Sequence, residues 1–157
     1  MKRLVILAAF AFAIGVPCVM SADKAIAAAP AASASDSLVA PPTPAGVTIH
    51  IRADKDGQMV AVPVNQRFAI ELVGVPTAGY QWAPVQMPAF VTRVGDELTG
   101  PTIAAQRQPG YAGGNHWEVY VFAAIDAGSG DLVLVQRRPS EHDGAPAATF
   151  RVTIVAR

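Results

Sequence analysis

Residues 67–82 read Arg67-Phe68-Ala69-Ile70-Glu71-Leu72-Val73, then Gly74, then Val75-Pro76-Thr77-Ala78-Gly79-Tyr80, then Gln81-Trp82. The first seven alternate in the manner of a β-strand, placing Phe68, Ile70 and Leu72 on one face. The hexapeptide that follows is turn-forming. Pro76 fixes its own φ and biases Val75 toward extended backbone, and Gly79 is free to take φ > 0. Tyr80-Gln81-Trp82 then resumes a strand-like run. The expected product is a stiff, projecting loop with Thr77 and Ala78 at its tip. Apart from the unactivated Thr77 hydroxyl, it carries no nucleophile, base or metal ligand. A rigid loop without catalytic groups points to a protein that fits into something else.

The same period of two recurs on both sides. Val47-Thr48-Ile49-His50-Ile51-Arg52 alternates, and Asp56-Gly57 signals a hairpin into Met59-Val60-Ala61-Val62. Phe90-Val91-Thr92-Arg93-Val94 is a short strand. Residues 117–124, 130–137 and 148–155 are longer ones, and a short helical turn is expected near Ala104. About seven strands divided by Gly/Pro turns predict an all-β fold, an immunoglobulin-like antiparallel sandwich or barrel. Trp82 stands where a core tryptophan fits. Three loops interrupt the pattern: 75–80, 110–115 and 138–146. Loops at alternate strand junctions of a sandwich gather at one end, so the three are expected on one face.

The N-terminus reads differently. Lys2-Arg3 precedes an apolar run from Leu4 to Val19, and Ala25-Ile26-Ala27 offers small residues for cleavage. Residues 1–27 therefore read as a signal peptide, with an uncleaved anchor as the alternative. Residues 28–46 are rich in Ala, Pro and Ser and are expected to be a mobile linker. The folded domain is expected over 47–157. Cys18, the only cysteine, falls in the leader; lipid attachment there is a minor alternative. An exported chain without disulfides suits the bacterial periplasm or secretion. Lys+Arg and Asp+Glu balance at 12 each, and the basic residues are scattered, so a nucleic-acid partner is not expected.

Candidate chemistry is sparse. His50, His116 and His142 lack second ligands at metal-binding spacing. Ser140-Glu141-His142-Asp143 contains triad residue types, but sequence neighbours rarely converge in triad geometry. Asp96-Glu97 reads as a solvated turn. No Gly-x-Ser-x-Gly or phosphate-cradling loop is present. Neither an enzyme nor a cofactor is expected.

Val75-Pro76-Thr77-Ala78-Gly79-Tyr80, then Ala112-Gly113-Gly114, then Arg138-Pro139 stand in this order, each at a strand junction. In this the chain resembles the chagasin family, immunoglobulin-like inhibitors of papain-type cysteine peptidases. That family carries an Asn-Pro-Thr-Thr-Gly-Tyr loop, a Gly-x-Gly-Gly loop and an Arg-Pro-Trp/Phe loop. Val75, Ala78, Tyr111 and Ser140 depart from the pattern. The resemblance implies an exported inhibitor that occludes a peptidase cleft reversibly. Pro76, Thr77, Ala78, Gly79, Tyr80, Tyr111, Gly113, Gly114, Arg138 and Pro139 would form the contact, with Thr77 and Ala78 beside the catalytic cysteine and Tyr111 standing in for the aromatic absent at Ser140. The protein is expected to act as a monomer, off the membrane once its leader is removed. An exported immunoglobulin-like module that binds another envelope protein or ligand is the alternative.

Overall fold

A computed structural model describes residues 37–141 and 144–157. The expected leader, Cys18, the first part of the linker, His142 and Asp143 lie outside the described residues. Nine strands are present among them: β1 (Ile49–Arg52), β2 (Met59–Val62), β3 (Arg67–Gly74), β4 (Gln81–Gln86), β5 (Val91–Arg93), β6 (Leu98–Pro101), β7 (His116–Ala124), β8 (Gly128–Arg137) and β9 (Ala148–Ala156). The expected turn near Ala104 is a short 3-10 helix, Ala104–Arg107.

The strands form two facing sheets. One has the order β1-β3-β7-β5, with β6 also paired to β7; the other runs β2-β9-β8-β4. Alternation decides what lies between them. Phe68, Ile70 and Leu72 of β3 and Tyr120, Phe122 and Ala124 of β7 meet Leu132 and Leu134 of β8 and Phe150, Val152 and Ile154 of β9. Phe68 and Phe122 are register partners, and their rings stack at 5.6 Å. Trp82 packs on the margin of this core.

Both sheets are mixed rather than wholly antiparallel. β1 pairs with β3, and β2 with β9, in parallel. Asp56-Gly57 therefore does not close a hairpin but carries the chain from one sheet to the other. β9 holds that turn: Gly57 N–H donates to Arg151 O (2.7 Å), and Arg151 N–H donates to Asp56 Oδ1 (2.8 Å).

The outer face of the first sheet is also apolar. Ala69, Val119 and Val121 cluster there with Val47, alongside Trp117 and Val94. Glu71 shares this face. Its side chain is fully buried and accepts from Arg52 Nε (2.7 Å), with His50 Nδ1 at 2.5 Å. The described part of the expected linker, residues 37–46, runs along this edge of the fold. Its backbone is tied to residues 102–104, Trp117 donates to Val39 O (2.7 Å), and Pro41 is buried.

The inter-sheet core is close-packed around Phe122, which is wholly shielded from solvent. Phe122→Ala is expected to lower unfolding stability by about 3–5 kcal/mol, because the site cannot collapse around the lost ring. Urea unfolding with an unchanged m-value checks it.

Candidate functional site

Strand register places all three loops at one end. Gly74, the last residue of β3, pairs with His116, the first of β7, so the loop leaving β3 and the loop entering β7 are neighbours. Pro101, the last residue of β6, pairs with the same His116. Gln81, which opens β4, pairs with Arg137, which ends β8; Gln136 pairs with Ala148, which opens β9. The loops follow β3, β6 and β8 rather than alternate strands, yet they meet at the same end of the sandwich.

The first loop is a closed turn. Val75 and Tyr80 exchange two main-chain hydrogen bonds, each 3.2 Å, and Ala78 N–H and Gly79 N–H donate back to Val75 O and Pro76 O. Pro76–Ala78 forms a 3-10 turn that Gly79 ends at φ +80°, a conformation a side chain resists. Thr77 and Ala78 are exposed at the tip, whereas Pro76, Gly79 and Tyr80 are half-buried.

The third loop grips the first. Arg138 Nε donates to Ala78 O (3.0 Å), its guanidinium lies 4.5 Å over the Tyr80 ring, and Nη1 reaches Glu141 (3.1 Å). Arg138 thus finds an aromatic face and a carboxylate within the chain. Such a cation–π contact is worth about 0.5–1 kcal/mol at an exposed site. Pro139 and Ser140 stay exposed beside it. Pro139 also borders a cleft of about 200 Å³ lined by Gln81, Trp82, Ala83 and Arg137, too small for a drug-sized ligand.

The second loop is held by a residue that no motif marks. Gln106 Oε1 accepts from Thr102 N–H (2.6 Å) and Ile103 N–H (3.1 Å), while Nε2 donates to Asn115 O (2.6 Å). One amide thereby ties the entrance of the loop to its exit. Gly114 must be glycine for two reasons: φ is +94°, and a Cβ would lie 2.8 Å from Gln106 Nε2. Gly113 also has positive φ, and Tyr111 is 43% exposed with its hydroxyl beside Gly114. The available signal was positional, since glutamine at the third residue of a helical turn is a capping residue.

Beneath the first loop lies Glu118, 2% exposed. Its Oε2 accepts Trp82 N–H (2.7 Å), and among the described residues Oε1 has no hydrogen-bond partner. Gly74 makes the room: a Cβ there would stand 1.7 Å from Glu118 Oε1. The Trp82 indole N–H donates to Val73 O (2.9 Å), and the Tyr120 hydroxyl sits between Trp82 O and Glu97 Oε2. Burial pushes the Glu118 carboxyl up to about 7, opposed by the Trp82 amide and aided by the Glu97 charge. Burial, with Glu97 alongside, holds the Tyr120 hydroxyl well above its ordinary range. A carboxylate inside an otherwise apolar strand was the sequence signal for this site.

These groups do not form a reaction centre. Among the described residues no group of three His, Cys, Asp or Glu is placed to hold a metal. His50 is engaged by Glu71, and His116 lies by Gly114 O. What the arrangement offers is a rigid edge of three loops, with Thr77, Ala78, Tyr111, Pro139 and Ser140 outermost.

Comparisons with known proteins agree with this shape. The model for the chagasin family peptidase inhibitor I42 matches residues 61–154. The crystal structure of the cysteine protease inhibitor EhICP2 from Entamoeba histolytica is similar at 17% identity and TM-score 0.59, covering 73% of this chain and 100% of that one. The solution structure of amebosin is similar at 22% identity and TM-score 0.53, covering 69% and 97%. Both likenesses are of fold. A search of curated protein sequences finds no match.

Glu118 gives the stability a pH dependence of defined sign. Its carboxyl titrates at 4.5 when unfolded and at about 7 when folded. The folded state therefore favours the proton. That contribution is full below the lower value and lost as pH rises through the upper one. Glu118→Gln should remove it. In urea unfolding across this interval, the margin of the variant over the parent is expected to widen as pH rises; a constant margin would show that Glu118 does not titrate in this way.

Proposed function

The chain belongs to the chagasin family of peptidase inhibitors, and from that premise we propose that it closes the cleft of papain-like cysteine peptidases with loops 75–80, 110–115 and 138–146. The protein is an inhibitor of cysteine peptidases and not an enzyme. The observation that carries the loop assignment is the register that brings all three to one end of the sandwich.

The physical case is one of pre-organisation. A loop already closed by the Val75–Tyr80 bridge and clamped by Arg138 loses little freedom when it docks. Thr77 and Ala78 enter the cleft as small groups, and Tyr111 contributes rigid aromatic area of the kind that anchors interfaces. Gly113 lets the main chain approach the enzyme surface closely. Since the wedge is a turn and not an extended peptide, it offers the catalytic cysteine no scissile bond to attack. Arg138 serves from inside the inhibitor, as the brace between the first and third loops.

The basic, apolar and small-residue segments of 1–27 support export to the periplasm or beyond, where the inhibitor would act as a monomer against the bacterium's own or a host's enzyme.

Titration of papain with the purified domain tests the proposal: reversible inhibition at or below about 1 μM is expected, and none at that concentration would contradict it. Thr77→Arg, which enlarges the tip, and Gly79→Pro, which cannot adopt φ +80°, should each weaken inhibition by about tenfold or more, or about 1.4 kcal/mol, with the fold retained by circular dichroism. An unchanged inhibition constant in both would remove the first loop from the contact.

A further inference from the structure

We infer that residues 37–47 are a strap that positions the second loop, with Val39 joining the two stems of that loop. The inference rests on the reading of the three-loop edge as the inhibitory surface.

Val39 N–H donates to Thr102 O (2.8 Å), on the entrance stem, and Val39 O accepts the Trp117 indole N–H (2.7 Å), on the exit stem. One residue thus spans both sides of the loop. Its neighbours reinforce the contact: Leu38 bridges Ile103, and Ala104 N–H donates to Ser37 O (2.9 Å). Thr102 passes the restraint on. Its hydroxyl donates to Asn115 O (3.0 Å), and its amide is held by Gln106, which also grips Asn115. The strap, residues 102–104, Gln106 and Asn115 make one continuous hydrogen-bonded ring around the base of the loop.

The loop needs such a base. Gly110, Gly113 and Gly114 all sit at positive φ, and glycine leaves a chain unusually free when its neighbours do not restrain it. The entrance stem β6 has four residues, and its strand partner is β7. The strap supplies the second restraint. It is anchored further on, where Pro41 is buried, Pro42 lies against Gly100, and Val47 joins Ala69, Val119 and Val121 on the outer face of the sheet. Pro41, Pro42 and Pro44 narrow the unfolded alternatives of the segment, so its docking costs less entropy than that of an ordinary tail. The strap also lies outside residues 61–154, which carry the family match. It is set against a loop that holds three glycines at positive φ.

Two variants in the full chain separate the strap from the rest. Val39→Pro removes the donor to Thr102 O and keeps the carbonyl. Trp117→Phe removes the donor to that carbonyl and keeps an aromatic ring. Val39→Ala keeps both main-chain groups and serves as the control. Amide hydrogen exchange over residues 104–111 and inhibition of papain are measured together. Both variants are expected to speed exchange in that window by about tenfold and to weaken inhibition several-fold, while exchange in β3, β8 and β9 stays at the parent rate and Val39→Ala behaves as the parent. Unchanged exchange in both variants overturns the strap, as does faster exchange with undiminished inhibition. A parent that fails to inhibit papain overturns the inhibitory reading and the strap's part in it, while the exchange measurement still decides whether the strap orders the loop.

Discussion

A buried carboxylate at the crossing between the two sheets fixes where the first loop starts and ends. The chain leaves β3, turns through 75–80, and enters β4 in the opposite sheet. At that crossing the amide of Trp82 donates to Glu118, its carbonyl is met by the Tyr120 hydroxyl, and its indole reaches back to Val73. Three groups of one tryptophan are thus tied to the sheet the chain has just left. The arrangement requires Gly74, since any side chain there would occupy the space of the Glu118 carboxylate. Burying a carboxyl with one oxygen unpartnered is costly, and the same burial pushes its pKa up. The return is a loop whose two ends cannot move independently.

The rest of the inhibitory edge repeats this device with other side chains. Arg138 ties the third loop to the first, Gln106 joins the stems of the second, and Val39 adds a further clasp from the N-terminal side. Each pin is a side chain, or a distant main-chain group, bonded to loop backbone. Beyond the Val75–Tyr80 bridge of the first loop, the loops gain their shape from these pins. Binding by such an edge needs small residues at the tip and stiffness behind it, which is how Thr77 and Ala78 stand relative to Pro76, Gly79 and Arg138.

Much of the fold was legible because alternation is a direct consequence of one buried face. Phe68, Ile70 and Leu72 declared β3, and the runs at 117–124, 130–137 and 148–155 declared the central strands. The convergence of the loops was also legible, since it follows from strand direction. Other features were not. Leu98-Thr99-Gly100-Pro101 reads as loop, yet it is the edge strand β6, where a ladder tolerates proline. The parallel placement of β1 and β2 depends on which distant strand each meets, and the local Asp56-Gly57 signal misread it. The Ala/Pro/Ser composition before residue 47 gives no sign that residues 37–39 lie against residues 102–104 and Trp117. A surface to be covered was implied by Val119 and Val121, apolar on the face opposite Tyr120 and Phe122, because a strand apolar on both faces needs cover on both. The pins themselves, Gln106, Glu118 and Val39, belong to no motif, for they act through backbone groups brought near by the fold.

The account stands on a single end of the sandwich meeting the peptidase, and a chemical-shift map of the isotope-labelled domain bound to papain with its catalytic cysteine blocked reads that end residue by residue. Large shifts are expected at 75–80, 110–115 and 138–141, with residues 63–66 and 125–127 at the opposite end undisturbed. Shifts concentrated at that opposite end, or a complex that leaves 75–80 unmoved, would contradict the account.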